Sequence, residues 1–375
     1  TISGGLMMGT RTTTLAVTIL ALSACQPTTG GIATDSATRQ TPEPSVALLS
    51  YDGLGNCSVT PRSVPAPFLV VDPRDDYYGA ESDAMSQALD GYAEAIGRLG
   101  AAAFASSSAQ AQLRDALLSW AEANAMQWPR NWNDGNDSGP ATVYFTTQTI
   151  VPTIIAYGEH RALFSAEEQQ TIELWLKQLV NRTGNNERMR RWSVDNKGYL
   201  WGSAALAFGI VTQDDSFIRR GTATYYTAIR NLRADGSLPQ DSGRGGSAVH
   251  YTNEAISSLI LTAELAAGQG IDLYGFESRG RTIHDAIRFL LDATENPSII
   301  AGYASQYTGA GFRGFDANNQ RLTWMNANNA SWGVYYAKRF EGSELAERLK
   351  RISSFVRSPR PESDGGAGGV ARCLA

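Results

Sequence analysis

Apolar positions recur along this chain at the three-and-four spacing of amphipathic helices, and long alternating runs are scarce. Ser165-Ala166-Glu167-Glu168 forms a capping box, in which the serine and the second glutamate satisfy each other's open backbone groups. The helix it opens places Ile172, Trp175, Leu176 and Leu179 on one face. Comparable patterns run over about 83–98, 109–126, 142–157, 197–212, 216–233, 247–267, 280–293, 326–340 and 343–357. About ten helices are therefore predicted, joined by short punctuation such as Ala234-Asp235-Gly236-Ser237-Leu238-Pro239. Helices of this length with short connections pair as antiparallel hairpins, stacked in layers or arranged in a ring. Periodicity does not separate a closed ring from a solenoid, although the lack of a fixed-period repeat weighs against a regular solenoid.

The first residues follow a different pattern and are set apart from the fold. With a start at Met7 or Met8, Arg11 supplies a positive region and Leu15 to Leu22 an apolar one too short to span a bilayer, so residues 1–24 are expected to be a signal peptide. Leu22-Ser23-Ala24-Cys25 resembles a lipoprotein cleavage box, which implies lipid on Cys25; an ordinary signal peptide with an incidental cysteine is the alternative. Gln26 in place of an Asp points to the outer membrane, so the expected address is periplasmic and lipid-anchored, with membrane contact through that anchor only. Residues 25–60, rich in Thr, Ser, Pro and Gly, are expected to form a flexible tether, and 61–375 a single helical domain.

Composition narrows the chemistry. The chain has 375 residues, 42% of them hydrophobic and 18% charged, enough for a sizeable core in one large domain or two smaller ones. A formal charge of -5 argues against a surface that is basic all over, so no nucleic-acid partner is expected. Three cysteines and three histidines in no ligand-like spacing make a zinc site unexpected. In an oxidising compartment Cys57 and Cys373 could tie the two ends of the folded part together, or both could be free. Phosphate-loop, dinucleotide and nucleophile-elbow patterns are missing, and no cofactor is expected; the protein is expected to be a monomer.

Three stretches carry candidate chemistry. Ser193-Val194-Asp195-Asn196-Lys197-Gly198-Tyr199-Leu200-Trp201-Gly202 sets an amide beside an ammonium at a helix start. An arginine-rich run, 182–191, leads into it and would suit the path of a polyanion, or simply be a solvated loop. Residues 235–255 read DGSLPQDSGRGGSAVHYTNEA: a turn, a glycine-flanked Arg244, then His250 and Tyr251 at the opening of a helix.

An Asn next to a basic residue and an aromatic, then Asp-Gly-x-Leu-Pro, then an Arg seven residues before a Tyr followed by Asn-x-Ala, resembles the alginate lyase family of helical polysaccharide lyases. The likeness is clearest over about 165–268 and extends to Leu322-Thr323-Trp324-Met325-Asn326. Arg244 follows Asn196 by 48 positions and Tyr251 follows Lys197 by 54, which fits the family without a gap. The resemblance implies an all-α fold, an (α/α) toroid or incomplete barrel of antiparallel helix hairpins, and an anionic polyuronate as partner. It also implies that Asn196, Arg244 and Tyr251 are catalytic, with Lys197 standing where the family has His. His250, Arg191, Trp201 and Asn253 are expected to bind substrate. Trp128 and Trp132 lie in a stretch that could stack on sugars or pack as a loop.

These residue types suit β-elimination. Removing the C5 proton of a uronate builds charge on its carboxylate, which needs donors and cations; an amide, a guanidinium fork and an ammonium provide them. A phenol with a reference pKa of about 10 can take the proton and return it to the leaving oxygen if neighbouring cations stabilise the phenolate. With Tyr251 serving one face, syn elimination on mannuronate or glucuronate is expected; a guluronate would want a second base, a role open to Lys197 if burial lowered its pKa. Two other readings stand at this level: a helical-ring glycoside hydrolase using Asp195 and Glu254, and a polyuronate-binding lipoprotein without turnover. Tyr251 could also be one more core aromatic, and His250, about 100° around the helix from it, a packing residue.

Overall fold

The computed structural model describes residues 48–49, 58–68, 70–71, 80–127, 140–185, 194–306 and 324–375. Eleven of its helices are labelled here: α1 (Ala80–Ala103), α2 (Ser107–Glu122), α3 (Pro140–Glu159), α4 (Ala166–Asn185), α5 (Asn196–Thr212), α6 (Asp215–Asn231), α7 (Ala248–Gly268), α8 (Ile283–Glu295), α9 (Ser298–Ala304), α10 (Trp332–Arg339) and α11 (Glu344–Ile352). Among the described residues there is no β-strand, only isolated bridges such as Val70 with Gln127. The all-α expectation therefore holds.

The helices sort into two layers according to where their apolar residues fall. Helices α1, α3, α5, α7 and α10 pack successively side by side as an inner layer. Helices α2, α4, α6, α8 and α11 lie outside, each against an inner neighbour or the next outer helix. An inner helix is covered on most sides, so its sequence is apolar nearly all round: every residue of α5 from Asn196 to Val211 is buried. Outer helices keep one apolar stripe, as Ile172, Trp175, Leu176 and Leu179 show in α4. Threonines are tolerated inside α3 because Thr147, Thr149 and Thr153 each donate their hydroxyl to the carbonyl four residues earlier, at 2.6, 2.8 and 2.7 Å. The tight α5–α6 crossing needs Gly221, where a Cβ would sit 2.6 Å from the backbone nitrogen of Leu206.

The C-terminal segment fills the gap between α10 and α1, completing the (α/α) toroid. Tyr335 donates to the carbonyl of Ala367 at 2.9 Å, Arg98 of α1 donates to that of Pro361 at 3.0 Å, and Ser363 packs on Gly97.

Three helix expectations change. The 343–357 pattern breaks at Ser353, which is extended and caps Ser354–Arg357 by accepting from the backbone N–H of Val356. The 326–340 pattern begins as two 3₁₀ turns, Trp324–Asn326 and Asn328–Ala330, before α10. A short helix, α9, was not predicted. Within the stretch expected to be a tether, Leu48 and Leu49 are buried core residues, with Leu48 beside Gly158. Ser45–Ala375 forms one compact unit, and residues 1–44, including Cys25, lie outside the described residues.

Candidate active site

Helix α5 starts at Asn196 because Asp195, in extended conformation, caps it: one carboxylate oxygen accepts from the backbone N–H groups of Lys197 and Gly198 at 3.0 and 3.4 Å. The other oxygen accepts from Arg244 Nη2 at 2.8 Å and from Lys197 Nζ at 3.4 Å. One residue thus terminates a helix and gathers two cations. The backbone N–H of Asn196 donates to Asp241 at 3.0 Å. Burial, then the charge of Asp195, pushes the Asp241 carboxyl up to about 8, so it is neutral at neutral pH.

The segment between α6 and α7 carries Arg244 back to this point. Its turn needs Gly236, at φ +86°, where a Cβ would meet the carbonyl oxygen of Asp285 at 2.4 Å. Arg233 holds the turn to the following one-turn helix, Pro239–Ser242, by donating to Ser237 Oγ and Ser242 Oγ at 3.2 and 2.8 Å. Tyr251 follows in the first turn of α7. The Arg244 guanidinium lies 4.7 Å from the centre of its ring and the Lys197 ammonium 5.8 Å, so positive charge flanks the phenol.

Beside this cluster is a cleft of about 710 Å³, with Tyr144, Gln148, His250, Tyr251, Glu254 and Asn329 on its walls. A recess sharing Tyr144, Gln148, Glu254 and Asn329 reaches Asn196. Glu254 accepts from Asn196 Nδ2 at 2.8 Å through one oxygen and pairs with His250 Nε2 at 3.1 Å through the other. Burial would lower the His250 pKa, but the Glu254 charge outweighs it and the net direction is up. For Glu254 burial would raise the pKa, and the imidazolium outweighs it, so the net direction is down. The two form an ion pair. Burial lowers the Lys197 pKa, opposed by Asp195. On the C-terminal wall, burial pushes the Asp364 carboxyl up to about 7.

Four residues singled out in the sequence, Asn196, Lys197, Arg244 and Tyr251, come together here, and His250 lines the cleft. Two others do not. Trp201 is buried on the outer side of α5, donating to the carbonyl of Val180 at 3.0 Å with Arg220 stacked 4.8 Å from its ring. Asn253 is buried at the α7–α10 contact, where it donates to the carbonyl of Asn329 at 2.9 Å and accepts from Trp332 Nε1 at 2.8 Å. Neither side chain is among those lining the cleft or its recess. Arg191, Cys57, Trp128 and Trp132 lie outside the described residues. Cys373 is buried and disulfide-bonded.

Sequence reasoning missed Tyr144, Gln148, Asn329 and Asp364, which reach the cleft from α3 and the C-terminal region with no local motif to mark them. Asp195 and Glu254 are the carboxylate pair that a hydrolytic reading would use. They are instead the counter-ion of two cations and the anchor of an amide and an imidazole.

The alginate lyase family profile matches residues 72–300. The chain belongs to the alginate lyase family. By that membership it is a polysaccharide lyase. Among curated relatives it is 29% identical over 239 residues to a polysaccharide lyase of Stenotrophomonas maltophilia strain K279a, covering 62% of this chain and 67% of that protein. It is 22% identical over 188 residues to an alginate lyase of Pseudomonas syringae pv. syringae, covering 49% of this chain and 48% of that one. Among solved structures, alginate lyase A1-III from Sphingomonas species A1 superposes with a TM-score of 0.68 at 22% identity, over 88% of this chain and 89% of that one. A form of alginate lyase A1-III complexed with a tetrasaccharide gives a TM-score of 0.65, also at 22% identity, over 90% of each chain. These structural likenesses speak for the toroid; the family rests on the profile.

Proposed function

We propose that this alginate lyase family member cleaves a 1,4-linked polyuronate by β-elimination, leaving an unsaturated uronate at the new non-reducing end. The observation that carries the reading is the phenol of Tyr251 on the cleft wall with Arg244 4.7 Å from its ring, beside the recess that reaches Asn196. The Asn196 amide and Arg244 would hold the uronate carboxylate as charge builds on it. Tyr251, as phenolate, would take the C5 proton. The C5–H electrons form the C4=C5 bond, the C4–O bond breaks, and the phenol returns its proton to the leaving glycosidic oxygen. No step calls on a cofactor.

The side chain at the family's His position favours syn elimination. Lys197 is nearly buried, with its ammonium 3.4 Å from Asp195, a poor location for a base that must meet sugar. Mannuronate or glucuronate polymers are therefore the expected substrates, ahead of guluronate. The test is ultraviolet absorbance of the unsaturated end on polymannuronate, polyguluronate, glucuronan and mixed alginate. A best rate on guluronate blocks would overturn the syn assignment, and binding without unsaturated product on every polymer would make the protein a polyuronate-binding lipoprotein. Saturated ends would mean hydrolysis, a reading disfavoured by the commitments of Asp195 and Glu254.

The leader pattern before Cys25 supports export, with lipid on Cys25 and a periplasmic, outer-membrane address. Metabolic labelling with a fatty acid, lost in Cys25→Ser, tests it.

A further inference from the structure

The side-chain amide of Asn196 is held at both ends. Its nitrogen donates to Glu254 Oε2 at 2.8 Å, and its oxygen lies 3.4 Å from the ammonium of Lys197. Rotating the amide by half a turn would set NH₂ against an ammonium and C=O against a carboxylate, two repulsive contacts in place of two attractive ones. The two holders are themselves fixed. Lys197 is tied to Asp195 at 3.4 Å and is only 6% exposed, and Glu254 is paired with His250 at 3.1 Å. The backbone N–H of Asn196 is committed to Asp241 at 3.0 Å, so neither end of this residue can drift. Of the two hydrogens on Nδ2, one goes to Glu254; the other is the one available to a ligand in the recess that Asn196 lines.

We propose that Lys197 and Glu254 are positioning residues that lock the Asn196 amide with its nitrogen toward the cleft, so that the lysine at the family's His position acts through Asn196 rather than as a proton carrier. The inference rests on the β-elimination reading for the meaning of a kcat effect, but not for the geometry itself. An amide free to rotate would present its oxygen to a sugar carboxylate part of the time, and misorientation on that scale costs about 10- to 100-fold in rate.

The test is a pair of double-mutant cycles on the full chain, Lys197→Met with Asn196→Ala and Glu254→Gln with Asn196→Ala, read as kcat and KM from unsaturated-end absorbance. Lys197→Met and Glu254→Gln are each expected to lower kcat about 10- to 100-fold, and to cost less than about twofold once Asn196 is Ala. The pH profile of kcat in Lys197→Met should keep both limbs. A loss repeated in full in the Asn196→Ala background, or a limb that vanishes with Lys197, overturns the proposal. Thermal melts of each variant separate misfolding from mispositioning, since a folding defect would persist in the Asn196→Ala background. Should the wild type release no unsaturated ends, the β-elimination reading fails by itself. The lock is then tested by the crystal structure of Lys197→Met, in which the Asn196 amide should turn or split; an unmoved amide overturns it.

Discussion

Asp195→Asn is the substitution that weighs most on this site, because one carboxylate serves two unrelated tasks. Asparagine caps a helix about as well as aspartate, so the N–H groups of Lys197 and Gly198 keep their acceptor. What is lost is the negative charge between Arg244 and Lys197, whose side chains are 16% and 6% exposed. Leaving buried charges without a counter-ion costs roughly 3–5 kcal/mol. The lower end, about 3 kcal/mol, is expected, because Arg244 retains some hydration and Lys197 can shed its proton. Over a unit spanning Ser45–Ala375 that corresponds to a fall in Tm of roughly 5 °C. Asp195→Ala should fall further by about 1 kcal/mol, the value of the cap. The pH dependence has a definite sign. Burial already lowers the Lys197 pKa, and Asp195 opposes that; without Asp195 the folded pKa falls further. The unfolded chain then holds more protons than the folded one over a wider range below the ordinary lysine value, so the deficit relative to wild type should shrink as pH rises. The assay is chemical denaturation followed by circular dichroism at several pH values. A loss under 1 kcal/mol, or a deficit that grows with pH, would refute the view that Asp195 acts as the counter-ion.

Three further outcomes are expected. Tyr251→Phe should leave KM within a few-fold and lower kcat by about 10²- to 10⁴-fold, the usual worth of a proton-transferring group, measured by unsaturated-end absorbance. Burial pushes the Asp241 carboxyl up to about 8 from its ordinary value of 3.8, so the folded state holds the extra proton and this group's contribution to stability is lost as pH rises through that interval. Asp241→Asn, which keeps an acceptor for Asn196 N–H, should therefore gain on wild type in thermal melts between pH 5 and pH 9. Gly236→Ala should cost about 2 kcal/mol or more, since a Cβ there meets Asp285 O at 2.4 Å in a left-handed backbone, and kcat should fall with it because the displaced turn leads to Arg244.

The helices were largely readable because a helix's apolar face repeats within a few residues. Breaks were not: Ser353 ends one only because it also donates to the carbonyl of Met325 and caps the next turn, a contact formed across 28 positions. Within the site, Trp201 and Asn253 were assigned by their nearness in sequence to Asn196 and Tyr251. Five positions along a helix turn the side chain by about 140°, and two by about 200°, which sends each to another face. Glu254, three positions beyond Tyr251 and four beyond His250, shares their side of α7, so its place beside His250 was within reach of the same arithmetic.

The sequence by itself determined the local pieces: the cap at Asp195, the Asp-Gly turn, the openings of α5 and α7, and the spacing that marks Asn196, Arg244 and Tyr251 as a family pattern. Tertiary structure decided which of these meet. Tyr144, Glu254, Asn329 and Asp364 share a cleft because the C-terminal segment packs on both α3 and α7. It also decided the charge states, placing a protonated Asp241 and a paired Lys197 beside Asn196, since burial and counter-ions shift a pKa and neither exists until distant segments close around the group.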